Sequence, residues 1–260
     1  MSGHPGRAEQ ALAACREAVA AVSGALASVE DRRAPGGRPG QYALDLVADA
    51  AACAVLHSHG LAVLSEESGL SGGGELMAVL DPVDGSTNAS RRLPWHATSI
   101  CVLDAAGPLA ALVVNLATGT SYEAVRGGGA RRDGSPIAPS ATASAGTAVV
   151  ALSGYPPRRL GWRQYRVLGA SALDLCAVAD GALDAFVDCS PSQPGLHGPW
   201  DYLGGLLVCR EAGAVVADAD GRELVVRDPA SRRTPLAAGT ATLLEEMLAR
   251  RREALSPPGR

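Results

Sequence analysis

Two aspartates stand three residues apart in the motif D-P-V-D-G-S-T-N, directly after the apolar segment 76–80. These acids are Asp81 and Asp84. Converging carboxylates suit Mg²⁺, a hard cation that prefers oxygen ligands, better than zinc or copper. Gly85 permits a tight turn, and residues 86–88 suit the start of a helix, whose free N–H groups can hold a phosphate oxygen. The motif indicates a cation and an anion bound together, although a strand end with a capped turn has the same pattern.

Further acids lie elsewhere in the chain. Glu66 and Glu67 follow the apolar run 61–64, and Asp201 precedes an apolar, glycine-containing helix. Taken alone, adjacent glutamates are usually solvated, and an aspartate before a helix is usually an N-cap. Only their combination with the aspartate motif makes them candidates for a shared site.

Apolar periodicity predicts the elements that must position these acids. The predicted helices are 8–29, 44–59, 171–180 and 202–212, and the predicted strands are 61–64, 76–80, 98–103, 109–115, 120–125 and 185–188. From about Ala148 the pattern changes to strand, loop and helix in alternation. We therefore expect two lobes, an α+β lobe over residues 1–145 and an α/β lobe over residues 146–260.

Composition and charge narrow the class of protein. The chain has 260 residues, 47% of them hydrophobic and 19% charged, which is an ordinary globular balance. A net charge of −4 provides no basic field for nucleic acid or an anionic membrane, so neither is expected as a partner. Without a signal-like N-terminus or a membrane-length apolar run, we expect a cytoplasmic protein. The six cysteines show no C-x-x-C spacing, which favours reduced, buried thiols.

Five segments, in this order and wording, resemble the inositol monophosphatase family of the sugar phosphatase superfamily. The wording is closest to the archaeal branch, which acts on inositol monophosphate and fructose 1,6-bisphosphate. The resemblance implies a layered αβαβα fold with the active site between the two lobes. The segments are 44–49, 64–69, 81–88, 169–179 and 200–213.

The resemblance also implies residue roles. Two or three Mg²⁺ ions would be held by Glu66, Asp81, the Val83 carbonyl, Asp84 and Asp201. Glu66, and Ser86 hydrogen-bonded to Asp45, would activate the attacking water. The substrate would contact Gly85, Ser86, Thr87, Gly169, Ala170, Ser171 and Asp188. The implied reaction is hydrolysis of a phosphate monoester of a small polyol without a phospho-enzyme, with inversion at phosphorus.

Departures from the family pattern leave the substrate open. The connection 189–199 is longer than is common, and Asp188 is shorter than the glutamate often found there. His197 could contact a ligand, and Arg91 and Arg92 could bind a second phosphate, but we expect all three to be exposed. The segment 31–41 is expected to be a mobile, exposed loop that could close over a third metal. The alternatives are a histidinol-phosphate or nucleotide 3'-phosphate phosphatase and, outside enzymes, a catalytically weak regulatory homologue. Relatives commonly form homodimers, so a homodimer is expected.

Overall fold

The chain folds into two β-sheets and six α-helices in a computed structural model that describes residues 4–190 and 196–255. Before residue 145 the elements are α1 (His4–Ala27), α2 (Ala43–Ser58), β1 (Ala62–Ser65), β2 (Gly69–Ser71), β3 (Met77–Asp84), α3 (Ser86–Arg91), β4 (Ala97–Asp104), β5 (Gly107–Asn115), β6 (Ser121–Val125), β7 (Gly129–Arg132) and β8 (Ser135–Pro136). After it come a 3-10 turn (Ala145–Thr147), β9 (Val149–Ser153), β10 (Gln164–Arg166), α4 (Ser171–Ala179), β11 (Ala185–Asp188), α5 (Pro199–Ala212), β12 (Val215–Asp218), β13 (Pro235–Ala238) and α6 (Ala241–Leu255).

The first sheet has eight strands in the order β2-β1-β3-β4-β5-β6-β7-β8. From β3 to β8 every neighbouring pair is antiparallel, whereas β1 runs parallel to β3. Because successive side chains of a strand point to opposite faces, β3 can bury both of its faces. Ala78 and Leu80 face α1 and α2, and Val79 faces the other side.

The second sheet has five strands in the order β10-β9-β11-β13-β12. The strands β10, β9 and β11 are parallel, and β13 is antiparallel to both of its neighbours, β11 and β12. One face packs through Ala151 and Phe186 against α4 and α5. The other face packs through Val150 and Val187 against Met247 of α6.

Three hydrophobic cores therefore separate five layers. The order is α1 and α2, the first sheet, α4 and α5, the second sheet, and α6. This arrangement confirms the predicted layered αβαβα fold. The division of the chain at residue 145 stays a prediction, since α5 packs on strands of the first sheet as well as on β12.

The predicted elements are present, with differences at their ends. The strand predicted to stop at Leu80 continues to Asp84, and the helix predicted from Tyr202 begins at Pro199, so Asp201 lies inside its first turn. Apolar periodicity does not predict α6 or the short strands β2, β7, β8, β10, β12 and β13. Strands of two to four residues are too short for a periodic signal.

All six cysteines are buried and unpaired, as predicted. Burial raises the pKa of each thiol for which a shift is resolved, which disfavours the reactive thiolate. Within residues 4–190 and 196–255, none of the helices combines the length and apolarity that crossing a membrane requires. The predicted polar tail 256–260 and part of the long connection, residues 191–195, lie outside the described residues.

Candidate active site

A β-bulge in β3 explains how two aspartates three residues apart can face one site. Asp81 pairs with Ser99 and Asp84 pairs with Ala97, so three steps along β3 match two steps along β4. In a regular strand, residues i and i+3 point to opposite faces. The extra residue reverses this alternation, and Pro82 is tolerated because a bulge needs no ladder hydrogen bond there. The bulge thus brings both carboxylates to the same face of the sheet.

Glu66 joins Asp81 because β1 and β3 are parallel neighbours. Ser65 is in register with Leu80, and the Glu66 N–H donates to the Leu80 carbonyl at 3.1 Å. The next residue of each strand is therefore an acid, at the same edge of the sheet.

Asp201 comes to this edge from α5. The Gly198 N–H donates to Asp201 Oδ2 at 2.6 Å and orients the carboxylate at the start of the helix. One carboxylate oxygen from each of Glu66, Asp81 and Asp201 lies within 4.8 Å of the others. Glu66 and Asp201 are 135 positions apart in the chain and yet lie in one cluster, as a shared site requires.

Asp84 is held by the first turn of α4. Its Oδ1 accepts from the Ser171 N–H at 3.2 Å, and its Oδ2 accepts from the Ala172 N–H at 2.7 Å. Charge-assisted bonds of this kind fix a carboxylate and favour its ionised form. Among the described residues, Asp84 is not one of those whose carboxylate oxygens lie within 4.8 Å of one another. Its charge nevertheless raises the pKa of Asp81.

The turn at Gly85 brings the aspartate motif against the segment before α4. Gly85 has a φ of +83°, and a Cβ there would lie 2.9 Å from the Gly169 carbonyl and 3.2 Å from Ala170 Cβ. Only glycine satisfies both the left-handed backbone and the close approach. The residues predicted to contact substrate at 85–87 and 169–171 are therefore neighbours.

The predicted hydrogen bond between Ser86 and Asp45 is not formed. Ser86 Oγ donates to the Val83 carbonyl at 2.9 Å instead, and buried Asp45 Oδ1 has no hydrogen-bond partner. Asp45 Oδ2 accepts from the Tyr42 N–H at 2.8 Å. Burial raises the pKa of Asp45 to about 6, although the nearby Ser86 hydroxyl lowers it in part.

The acids raise one another's pKa. Burial is the largest cause at Glu66, Asp81, Asp84 and Asp201, because it disfavours the charged carboxylate. Repulsion adds to it: Asp201 raises the pKa of Glu66, and Glu66 raises that of Asp81. Cations beside these carboxylates would favour their ionised forms.

These residues fit Mg²⁺. The donor set consists of carboxylate oxygens, the ligands that Mg²⁺ prefers, and buried charges are generally paired or coordinate a metal. The unpartnered, buried Asp45 Oδ1 next to them is a further polar atom without a protein partner. An acidic cavity of about 310 Å³ opens here, lined by Arg38, Pro39, Gly40, Gln41, Asp45, Glu66, Glu67 and Ser86.

Part of the segment predicted as a mobile, exposed loop is tied to the site. The Gly36 N–H donates to the Gln41 carbonyl at 2.8 Å, and Arg38 forms an ion pair with Glu67. Unlike most adjacent glutamates, Glu67 is not solvated, since its side chain is only 6% exposed and also accepts from Gln41. An arginine on a glycine-rich loop gives no periodic signal, so the ion pair of Arg38 and Glu67 could not be predicted from the sequence pattern.

The expectation that His197 is exposed is also wrong. Its side chain is 8% exposed, and its Nδ1 lies 2.9 Å from Asp188 Oδ2. Burial alone would lower the pKa of His197, but the hydrogen bond to Asp188 and the charges of Asp201 and Asp84 outweigh it and raise the pKa. The structure gives this histidine a partner, Asp188, which the sequence could not show. Arg91 and Arg92 are exposed, as expected.

Asp188 itself is completely buried. Its Oδ1 accepts from the Ser190 N–H at 2.8 Å, and its Oδ2 is occupied by His197. The predicted contact between Asp188 and substrate stays a prediction, and it would require these bonds to rearrange.

Comparison with known proteins gives a consistent result. Residues 9–256 match the model of the Inositol monophosphatase family. The chain is 35% identical over 188 residues to a protein named fructose-1,6-bisphosphatase/inositol-1-monophosphatase from Archaeoglobus fulgidus, with 70% of this chain and 71% of that protein covered. It is 31% identical over 211 residues to a protein from Escherichia coli named Nus factor SuhB, with 75% and 74% covered.

A solved structure has the same fold. It is a hypothetical protein from Pyrococcus horikoshii, titled as having similarities for inositol-1 monophosphatase. The TM-score is 0.80 at 25% identity, and the alignment covers 98% of this chain and 100% of the other.

Proposed function

The chain belongs to the inositol monophosphatase family and is a phosphoric monoester hydrolase, and on that premise we propose that it is a Mg²⁺-dependent phosphatase of a small polyol phosphate. The substrate class is inositol monophosphate or a sugar phosphate. The observation that carries the proposal is the group of Glu66, Asp81 and Asp201 oxygens within 4.8 Å of one another. The name of the archaeal relative supports the substrate class.

The ions would be held by Glu66, Asp81, Asp84, Asp201 and the Val83 carbonyl. When bound, Mg²⁺ neutralises the phosphate oxygens and makes water a better nucleophile, since a phosphate monoester repels an incoming nucleophile with its own charge. We propose two or three ions per site.

The remaining groups orient the water and the ester. Glu66 lines the cavity and would accept the proton of the attacking water. Ser86 and Asp45 form a second acceptor pair if Ser86 Oγ turns from the Val83 carbonyl to the free Asp45 Oδ1, which would also free that carbonyl as a ligand. No covalent phospho-enzyme is needed, and a single in-line attack by water inverts phosphorus.

The ester would lie between the two motifs that meet at Gly85. The N–H groups of Gly85, Ser86 and Thr87 would bind the phosphate, because the first N–H groups of a helix have no intrahelical partner. The leaving alcohol would face Gly169, Ala170 and Ser171.

A phosphate-release screen with MgCl₂ tests the proposal. The substrates are inositol 1-phosphate, fructose 1,6-bisphosphate, assorted sugar phosphates, histidinol phosphate and adenosine 3',5'-bisphosphate. Asp84→Asn should lower kcat/KM at least about 100-fold, since even indirect partners of a metal ligand are worth 10–100-fold. The control is Asp133→Asn, because Asp133 is an exposed loop residue at a φ of +49°, which asparagine tolerates. Unchanged hydrolysis in Asp84→Asn would refute the proposal.

The Escherichia coli relative carries the name of a factor rather than of an enzyme, which favours one further test. A binding or regulatory role would survive Asp84→Asn, whereas hydrolysis would not. A purified chain that releases no phosphate from any of these esters would favour the regulatory alternative.

We also propose that the protein is a cytoplasmic homodimer that has no nucleic acid or membrane partner. Light scattering coupled to gel filtration measures the mass in solution directly, and the 26.3 kDa expected of the monomer would contradict the dimer.

A further inference from the structure

A chain of hydrogen bonds runs from the end of β11 toward the acidic site. His197 Nδ1 lies 2.9 Å from Asp188 Oδ2, and its Nε2 lies 2.9 Å from Ser171 Oγ and 3.3 Å from Ser153 Oγ. The Ser171 N–H in turn donates to Asp84 Oδ1 at 3.2 Å. His197 is therefore separated from an acid of the site by a single residue.

The far end of this chain is anchored in the second lobe. Arg251 of α6 donates from Nε to the Asp188 carbonyl at 2.6 Å, and Ser190 donates to the Asp188 carboxylate. Asp188 is fully buried, and His197 as a whole residue, main chain included, is 6% exposed. Two polar side chains are thus kept from water and satisfied only by other protein groups.

Such an arrangement costs free energy unless every polar atom is bonded, and an apolar replacement of similar volume is often equally stable. Both ring nitrogens and both Asp188 oxygens have partners, so the network is complete. The network ends at Ser171, the first residue of α4. The backbone N–H groups of Ser171 and Ala172 donate to the Asp84 carboxylate and hold it in place.

We propose that His197, held by Asp188, is a positioning residue: it fixes Ser171 and the first turn of α4, which orients Asp84 and thereby sets the affinity of the site for Mg²⁺. This inference rests on the proposed function, because it assumes that Asp84 is a Mg²⁺ ligand. Asp188 then serves to hold His197 and does not make the predicted contact with substrate.

The direct test is calorimetric titration of MgCl₂ into the metal-free protein, without substrate. His197→Ala and Ser171→Ala should each weaken Mg²⁺ binding about 10-fold to 100-fold, the range for groups that orient metal ligands. Because the two residues act in series, the double variant should bind no more weakly than the weaker single variant. Fully additive losses would overturn the proposal, since they would mean independent effects.

Kinetics and conservative variants separate positioning from packing. His197→Ala should lower kcat at fixed MgCl₂, and added MgCl₂ should restore part of it. His197→Gln can place an amide near the position of Nε2 and should recover Mg²⁺ affinity, whereas His197→Asn reaches only the position of Nδ1 and should not. Equal affinity in the alanine, glutamine and asparagine variants would contradict the relay.

A matched control is available in His96, which is 5% exposed and whose Nδ1 contacts the Leu93 carbonyl at 2.9 Å. His96→Ala should lower the Tm and leave Mg²⁺ affinity unchanged. If His197→Ala does not fold, Ser171→Ala still tests the relay, because it leaves the pair of His197 and Asp188 intact.

The two proposals fail in different ways. If the unmodified protein neither binds Mg²⁺ nor releases phosphate, the proposed function is wrong. If it does both and His197→Ala and Ser171→Ala match it in Mg²⁺ affinity, only the positioning role is wrong.

Discussion

Four carboxylates of the candidate site are packed closely together, which is unfavourable for the metal-free fold. Glu66, Asp81, Asp84 and Asp201 are buried near one another, and their pKa values are raised in the folded state. A raised carboxyl pKa means that the folded protein holds its protons to higher pH than the unfolded chain does. Stability from these groups is therefore fully present below a pH of about 4 and is lost as pH rises through the folded pKa values.

Glu66→Gln should test this cost in the metal-free protein. The variant removes a charge without changing the shape of the side chain, so its Tm relative to the unmodified protein should increase as pH rises from about 4 to 8. Each kcal/mol of relieved repulsion should raise the Tm about 2–4 °C. Thermal melts at several pH values in a chelator measure the difference.

The same variant should lose most of its activity and most of its stabilisation by MgCl₂. A control is Glu75→Gln, since Glu75 is exposed and pairs with Arg7 at the surface. A Tm difference between Glu66→Gln and the unmodified protein that does not change with pH would contradict the repulsion argument.

At the scale of single elements, α5 packs closely against its neighbours through two adjacent glycines. Its N-terminus carries Asp201, and its two adjacent glycines lie against neighbouring elements. A Cβ on Gly204 would lie 2.5 Å from Ser99 Oγ of β4, and a Cβ on Gly205 would lie 2.6 Å from Leu175 Cβ of α4. Glycine normally weakens a helix interior, so its presence here is explained by the close packing that it allows.

Gly205→Ala should therefore destabilise the protein by about 1–3 kcal/mol, the usual cost of overpacking. Gly24→Ala in α1 is the matched control, because a Cβ there meets nothing within 4 Å and alanine should stabilise that helix by about 0.5–1 kcal/mol. Urea unfolding measures both changes. A stabilised Gly205→Ala variant would show that α5 is not closely packed against α4.

At the scale of the whole molecule, the site depends on both halves of the chain. Glu66 follows β1 and Asp81 lies in β3, both of the first sheet, whereas Asp201 and the α4 turn that holds Asp84 come after the first strands of the second sheet. The apolar layer between the two sheets is a single cluster that contains Cys101 of β4 and Phe186 of β11. An ion bound here would therefore link the two halves energetically.

MgCl₂ should raise the Tm of the entire chain in one transition. At a concentration 100 times the dissociation constant, a ligand that binds only the folded state adds about 2.7 kcal/mol to its stability. Differential scanning calorimetry with MgCl₂ and with a chelator measures the shift. Two transitions, of which MgCl₂ moves only one, would contradict a site shared by both halves.

Sequence alone was sufficient for the elements with strong periodicity and for the types of residue in the site. The apolar runs before Glu66 and Asp81 predicted buried strands ending in acids, and the structure has them as β1 and β3. The layered fold followed from the resemblance of five segments to a known family. By contrast, α6 went unpredicted, although its Met247 completes the outermost core.

Tertiary structure alone decided which acids meet and what surrounds them. The bulge that turns Asp84 to the same side as Asp81 is defined by its pairing with β4, and pairing between strands is not encoded in local spacing. The buried His197, which precedes α5, contacts Asp188, nine residues earlier, and Ser171 of α4. Periodicity reports which face of one element is apolar, whereas hydrogen bonds and proximity between elements depend on how the whole chain packs.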